Sequence, residues 1–276
     1  GSNRINDAAD VGVYSGATLA LGTNTETIDQ LILTSGSVTG SGAGALTGTS
    51  TFDVRNGSIS AILAGSVGLT KTTGGTVTLS GNNTYSGATT VSLGTLSVTG
   101  TLSNSTDVSV AGGATYDVGN SDTIDGLSGT GNVTLGANTL TVGGNNQGAT
   151  DFGGVISGSG GALTKTGSGN QTLSGNNTYT GTTTISQGTL ALSGAFTNNI
   201  ANSATIDVQS SATLNVTGLN SGTLVLASGQ TLKGTGTVTG ATTAGSGSFI
   251  SPGASPGILN TGNIAFNSGS TFTVEV

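Results

Sequence analysis

Three aspartates crowd one short stretch of this chain, Asp117, Asp122 and Asp125. Carboxylates spaced this closely have two chemistries open to them. They can supply oxygen ligands to calcium, or two of them can work as acid and base across a glycosidic bond in a polysaccharide-cleaving cleft. The plainer reading is solvated turn residues and outward strand positions. Asp125 has a counterpart in Asp29, but Asp117 aligns with Ala20, so the group does not recur as a set. No G-G-x-G-x-D calcium repeat accompanies it. No P-loop or dinucleotide fingerprint stands between a strand and a helix. The expectation is therefore no catalytic, cofactor-binding or metal-ligating residue.

Other residue types with chemistry in them recur in pairs. Lys71 and Lys165 stand in L-T-K-T. Such lysines can form an isopeptide or grip an acidic sugar; the expected role is an exposed strand end that discourages edge pairing. Tyr85 and Tyr179 stand in N-N-T-Y and can stack on sugars; a half-buried aromatic closing a coil is expected instead. Thr-x-Thr runs such as Thr76-Val77-Thr78 can order water and bind ice on a flat face, but Thr is also the ordinary outward partner of an inward Val. The chain has no His and no Cys, which removes Ser–His and thiolate catalysis and every disulfide, and a Ser–Lys pair has no supporting context.

The elements that position these residues are repeats. Leu69 to Gly100 and Leu163 to Gly194 align without a gap at an offset of 94, with 21 identities over 32 positions. Where they differ, Val91 becomes Ile185, Val98 becomes Leu192 and Ser86 becomes Thr180. In these three, apolar stays apolar and hydroxyl stays hydroxyl, as stacked units require. The similarity extends outward. Gly16 to Leu31 resembles Gly113 to Leu127, with a weaker echo at Ser211 to Leu219, and Ser58 to Thr72 resembles Asp151 to Thr166. The expected organisation is one solenoid over 1–276, with internal units at approximately 16–110 and 113–207 and a divergent 208–276.

Within the units, short period-two runs predict strands: Val11 and Val13, Leu19 and Leu21, Leu31 and Leu33, Phe52 and Val54. Each is bounded by Gly, Asn or Ser, with Asn56-Gly57 a strong turn dipeptide. No stretch sustains helical periodicity. Stacked coils of roughly 20 to 25 residues are expected. Asn82-Asn83 and Asn176-Asn177 suit left-handed turn positions or side-chain amide ladders. Pro252 and Pro256, in a repeated S-P-G, predict a rigid turn because proline cannot donate to a ladder. Ile264, Phe266, Phe272, Val274 and Val276 alternate to the last residue. That ending, with a start at Gly1-Ser2 rather than Met, predicts a piece of something longer.

Composition narrows the function classes. Gly and Ser make up close to a third of the residues, a warning of low complexity, but the chain is only 6% charged and 33% hydrophobic, unlike disordered chains. A net charge of −7 with five scattered Lys and Arg opposes nucleic-acid binding. No apolar run reaches the roughly 20 residues a membrane-spanning helix needs. Leu, Val and Ile supply the core, as a narrow tube filled by aliphatic columns requires.

Several stretches resemble the autotransporter-associated β-strand repeat, also called the passenger-associated transport repeat. They are Leu163-Thr164-Lys165-Thr166-Gly167, then Leu173 to Gly181 with its L-S-G-N-N-T-Y-T-G, and Gly188-Thr189-Leu190, with their counterparts from Leu69. Val155 to Gly160 and Ser251 to Gly257 are similar to the family's flanking pattern. The resemblance is specific in the two central blocks and looser in the first 60 residues. It implies a right-handed parallel β-helix, an all-β fold, displayed extracellularly at the surface of a bacterial outer membrane as a structural or adhesive passenger or stalk, without catalytic residues. The implied partners are a surface carbohydrate or a host-surface ligand, and membrane contact comes only through a segment outside this chain. Two further readings stand beside it: a filament or lattice protomer associating through open coil ends, and a carbohydrate-binding or carbohydrate-cleaving β-helix.

Overall fold

A run that alternates apolar and hydroxyl residues and then meets Gly, Asn or Ser can bury only one face, and its open backbone groups must find a partner strand. A computed structural model of the chain, describing residues 4–146, 148–253 and 257–273, shows how these runs are partnered. Gly1-Ser2, Pro256, Val274 and Val276 lie outside the described residues. The chain forms two compact units, 1–134 and 135–276.

In the first unit the strands Val11–Val13, Leu31–Leu33, Phe52–Val54, Leu69–Lys71, Thr89–Val91, Val108–Val110 and Leu127–Gly129 lie side by side in that order. A second ladder runs Thr18–Gly22, Gly36–Gly40, Gly57–Ile59, Thr76–Leu79, Thr95–Val98, Thr115–Val118, Asn132–Thr134. A shorter third joins Thr25–Ile28, Ala45–Gly48 and Ile62–Ala64. The chain visits the ladders in rotation, so every neighbour in a ladder is one coil away, and the pairing is parallel. Leu69 pairs with Phe52 on one side and Thr89 on the other, closing coils of 17 and 20 residues.

The second unit repeats the plan. One ladder holds Thr150–Phe152, Asn170–Leu173, Gly188–Ser193, Ala212–Gly218, Thr237–Thr239 and Asn260–Thr261. Another holds Thr139–Val142, Ala162–Lys165, Thr183–Ile185, Thr205–Val208, Thr231–Gly234, Phe249–Pro252 and Thr271–Phe272. Its later coils are longer: Thr189, Thr213 and Thr237 pair in succession, 24 residues apart. The fold is thus an all-β parallel solenoid, as expected, with some coils shorter than expected. Among the described residues the helical structure is one 3-10 turn, Asn220–Gly222.

Inward residues form columns along the coils. Val77, Leu96, Tyr116 and Val133 pair in succession and are all buried, as are Leu79, Val98 and Val118. Each buried Val or Leu contributes about 1.5–3 kcal/mol relative to exposure. Phe52 meets Tyr85 edge-on with centroids 6.0 Å apart, and both rings lie inside the coil.

Close stacking of backbones makes particular glycines obligatory. Gly57 has φ of +121°, and a Cβ there would lie 2.2 Å from the Gly36 carbonyl oxygen of the preceding coil. The Asn56-Gly57 pair therefore does more than turn the chain, since its glycine opens the next strand. Gly57→Ala is expected to lower stability by about 3 kcal/mol or more, combining left-handed strain with the clash. Gly74→Ala, facing open space, is the control. Urea unfolding of both variants measures the difference.

Pro252 corrects the expected rigid turn. It is the last residue of a strand, paired with Gly234. Among the described residues, the following coil pairs with this strand at Phe249 and Ile250. Phe266 and Phe272 continue the inward registers of Ala244 and Ile250, touch edge-on at 5.8 Å, and remain about half exposed.

Candidate functional site

The residues that recur in L-T-K-T and N-N-T-Y take equivalent places in the two copies. In the first copy, Leu69, Thr70 and Lys71 pair with Thr89, Thr90 and Val91; Val77 and Leu79 pair with Leu96 and Val98. The second copy does the same with Leu163 to Lys165 against Thr183 to Ile185. Each copy is therefore a coil and a half that stacks on itself, with N-N-T-Y carrying the chain from one layer to the next.

Lys71 and Lys165 contradict the expectation of exposed strand ends. Both are fully buried. Period two places the third residue of L-T-K on the same side as the Leu, and a lysine stem is long enough to lie inside the wall while its head reaches the corner. There the Lys71 ammonium donates to the Thr73 carbonyl in its own coil and, at 2.9 Å, to the Leu93 carbonyl in the next. Lys165 donates to the carbonyls of Thr166, Gly167 (2.9 Å) and Gln187 (3.4 Å). Burial pulls the Lys71 ammonium below its ordinary range. Neither head group is placed as an exposed grip for an acidic sugar.

The asparagines are neither left-handed nor laddered. Along N-N-T-Y the exposure alternates, with Asn82 and Thr84 outside and Asn83 and Tyr85 inside. Asn83 Oδ1 accepts the Leu63 N–H of the preceding coil at 3.1 Å; Nδ2 donates to the Gly81 carbonyl at 2.9 Å and to the Thr101 carbonyl of the following coil at 3.0 Å. Asn177 does the same with Ile156 (2.9 Å), Gly175 (3.0 Å) and Asn199 (3.2 Å). Each carboxamide staples three successive layers, satisfying backbone groups at a corner where strand pairing lapses. The amides bond backbone rather than one another, which is the correction to the expected ladder. The positive-φ non-glycine residues among those described are Asn146, Ser211 and Ser221.

The tyrosines are more deeply placed than expected. Tyr85 and Tyr179 are completely enclosed, and their hydroxyls share hydrogen bonds with Thr89 Oγ1 (2.7 Å) and Thr183 Oγ1 (2.6 Å). Burial pushes both phenols well up. They close a coil, as anticipated, but present no ring to a sugar.

The aspartate group divides between the two sides of the wall. Asp117 points outward and accepts from Ser97 Oγ (2.8 Å) and Thr134 Oγ1 (2.6 Å) in the neighbouring coils. Asp122, expected to be solvated, is buried; its Oδ2 accepts the Leu102 N–H at 3.0 Å and the Tyr116 hydroxyl at 3.4 Å, and Oδ1 accepts the Thr123 N–H at 2.8 Å. Asp125 is also buried. Asp122 departs from the solvated reading because D-T-I places it on the same inward side as Ile124; Asp125 is enclosed at the bend that follows. Among the described residues no three His, Cys, Asp or Glu come together as a metal-holding group. Asp29, the counterpart of Asp125, accepts from Ser50 and Thr49 hydroxyls, which hold its carboxyl below the usual range. Thr76 and Thr78 flank buried Val77 and pair in register with Thr95 and Ser97, the ordinary outward partners of an inward column.

Residues 69–98 and 163–192 match the Passenger-associated-transport-repeat model. The two matches coincide with the two self-stacking copies described above. No curated protein and no solved structure matches the chain. Repeat and solenoid together fit an autotransporter passenger domain.

Proposed function

We propose that this chain is a non-enzymatic, right-handed β-helical segment of a bacterial surface protein, displayed outside the outer membrane as a structural or adhesive stalk. The observation that carries the reading is how the recurring polar residues are used. Lys71, Asn83 and Tyr85, and their counterparts Lys165, Asn177 and Tyr179, direct their polar atoms at their own and neighbouring coils. Residues kept between copies for stacking serve the integrity of an elongating coil. The right-handed sense is supported by the strong preference of parallel crossovers for that hand. Surface placement is supported by the repeat match, since such repeats belong to passengers. Antibody labelling of intact producing cells tests it: the epitope is expected on unpermeabilised cells, and signal appearing only after permeabilisation overturns the surface reading. A reducing-sugar assay over a polysaccharide panel tests the absence of catalysis, and turnover by the purified folded chain would put the carbohydrate-cleaving reading first.

A further inference from the structure

Of the four tyrosines, Tyr85, Tyr116 and Tyr179 are enclosed, whereas Tyr14 is 62% exposed. Its ring is laid down on the sheet. A Cβ on Gly12 would stand 2.7 Å from Tyr14 Cε2, 2.8 Å from its hydroxyl oxygen and 2.9 Å from Cζ. Residues 12 and 14 share the outward side of the chain, so the missing side chain at Gly12 is what lets the ring fold back. An aromatic ring already held against the wall loses little freedom when something stacks on it. Tyr14, Thr34 and Arg55 follow Val13, Leu33 and Val54, which pair in succession. Tyr14 and Arg55 therefore leave the same ladder two coils apart, about 10 Å. Arg55 is turned onto Asp53: Nε donates to Asp53 Oδ2 at 3.0 Å and Nη2 to the same oxygen at 2.7 Å, while Thr72 Oγ1 donates to Oδ1 at 3.0 Å. The Asp53 carboxylate, and to a smaller degree the Tyr14 phenol, raise the Arg55 guanidinium, so ring and cation stand within electrostatic reach of each other.

The ring offers an apolar face. The ion pair beside it offers N–H donors and carboxylate lone pairs together, with its charges cancelled. An anionic ligand drawn to Arg55 would meet Asp53, and a cation drawn to Asp53 would meet Arg55, so neither sign of charge is favoured. A neutral sugar fits both parts. It has a C–H face to lie on the phenol and a rim of hydroxyls that donate and accept. We propose that Tyr14, Asp53 and Arg55 form a subsite for a neutral pyranose on the outer wall of the first unit. This rests on the adhesive half of the reading above and gives it a ligand class.

The test is saturation-transfer NMR on the purified full chain with cellopentaose, chitopentaose and mannopentaose, each up to about 10 mM, the range in which a small exposed site binds. At least one of the three is expected to receive transfer at the C–H protons of one ring face. Tyr14→Ala is expected to weaken that binding roughly tenfold, the scale of one lost stacking contact. Tyr14→Phe keeps the face and is expected to keep the binding, while Gly12→Val lifts the ring and weakens it. Lys233→Gln, on the second unit, is expected to change nothing. Tyr14 lies outside the core, so Tyr14→Ala is expected to unfold at the parent's urea midpoint. Absence of transfer from all three sugars overturns the subsite, and so does equal binding by the parent and Tyr14→Ala. Because the purified chain is measured, failure here removes the subsite alone; labelling of intact cells decides the surface reading separately.

Discussion

Lys71→Glu is expected to destabilise the first unit by about 4 kcal/mol or more, enough to remove most of the stability of an ordinary domain. The ammonium is enclosed and faces two carbonyls, Thr73 O and Leu93 O, in successive coils. A carboxylate there meets two negative dipoles and has lost its water, the most costly arrangement for a buried charge. Lys71→Met separates charge from packing. It keeps the stem and leaves two carbonyls short of one donor, which carbonyls tolerate better than N–H groups do. Its expected cost is below about 2 kcal/mol, because an apolar isostere also removes the penalty of burying an ion. Equilibrium unfolding of the three proteins measures both figures. The comparison has a pH signature as well. Burial depresses the Lys71 pKa below 10.5, so the unfolded chain holds more protons between the two values and stability from this group rises with pH in that window. The parent is therefore expected to gain on Lys71→Met in alkali just below 10.5 and to lose that gain as pH falls.

Much of this architecture was legible in the alternation itself. Leu31 and Leu33, Phe52 and Val54, and Val77 and Leu79 all fall where period two places them, because a parallel solenoid asks little more of a strand than an apolar side and a small turn. The polar interior was harder to read. Lys71 and Asn83 stand at inward positions of the same alternation, yet their residue types predict exposure, against their register. The signal was present in the copies: Lys, Asn and Tyr are unchanged between them while Val91 becomes Ile185 and Val98 becomes Leu192. A polar residue that holds still where the core drifts is bonded to backbone, whose geometry does not drift. Asp122 carried no such signal, because D-T-I lies outside the two central copies, and its burial follows from coil register alone.

Asn177→Leu tests the staple at its strongest, with an expected loss of about 3–5 kcal/mol in the second unit. The side chains are close in size, so packing changes little and the polar groups left behind dominate. Ile156 N–H loses its acceptor, Asn177 Oδ1, and an orphaned buried N–H costs about 1–3 kcal/mol. The Gly175 carbonyl loses the Nδ2 donor. The Asn199 carbonyl suffers less, because the Asn177 backbone N–H also donates to it at 2.9 Å. The damage is therefore directional, falling on the preceding coil more than the following one. Hydrogen exchange reads this directly: the Ile156 amide is expected to lose protection in Asn177→Leu while the Asn177 amide keeps most of its own. Asn177→Asp dissects the same site, since it keeps the acceptor for Ile156 and gives up both donors. Its expected behaviour is partial loss near neutral pH with recovery in acid, the state in which a carboxyl most resembles the amide it replaces. Equal deprotection on both sides of Asn177 would mean that the side chain only fills space, and that the corner is held by strand pairing alone.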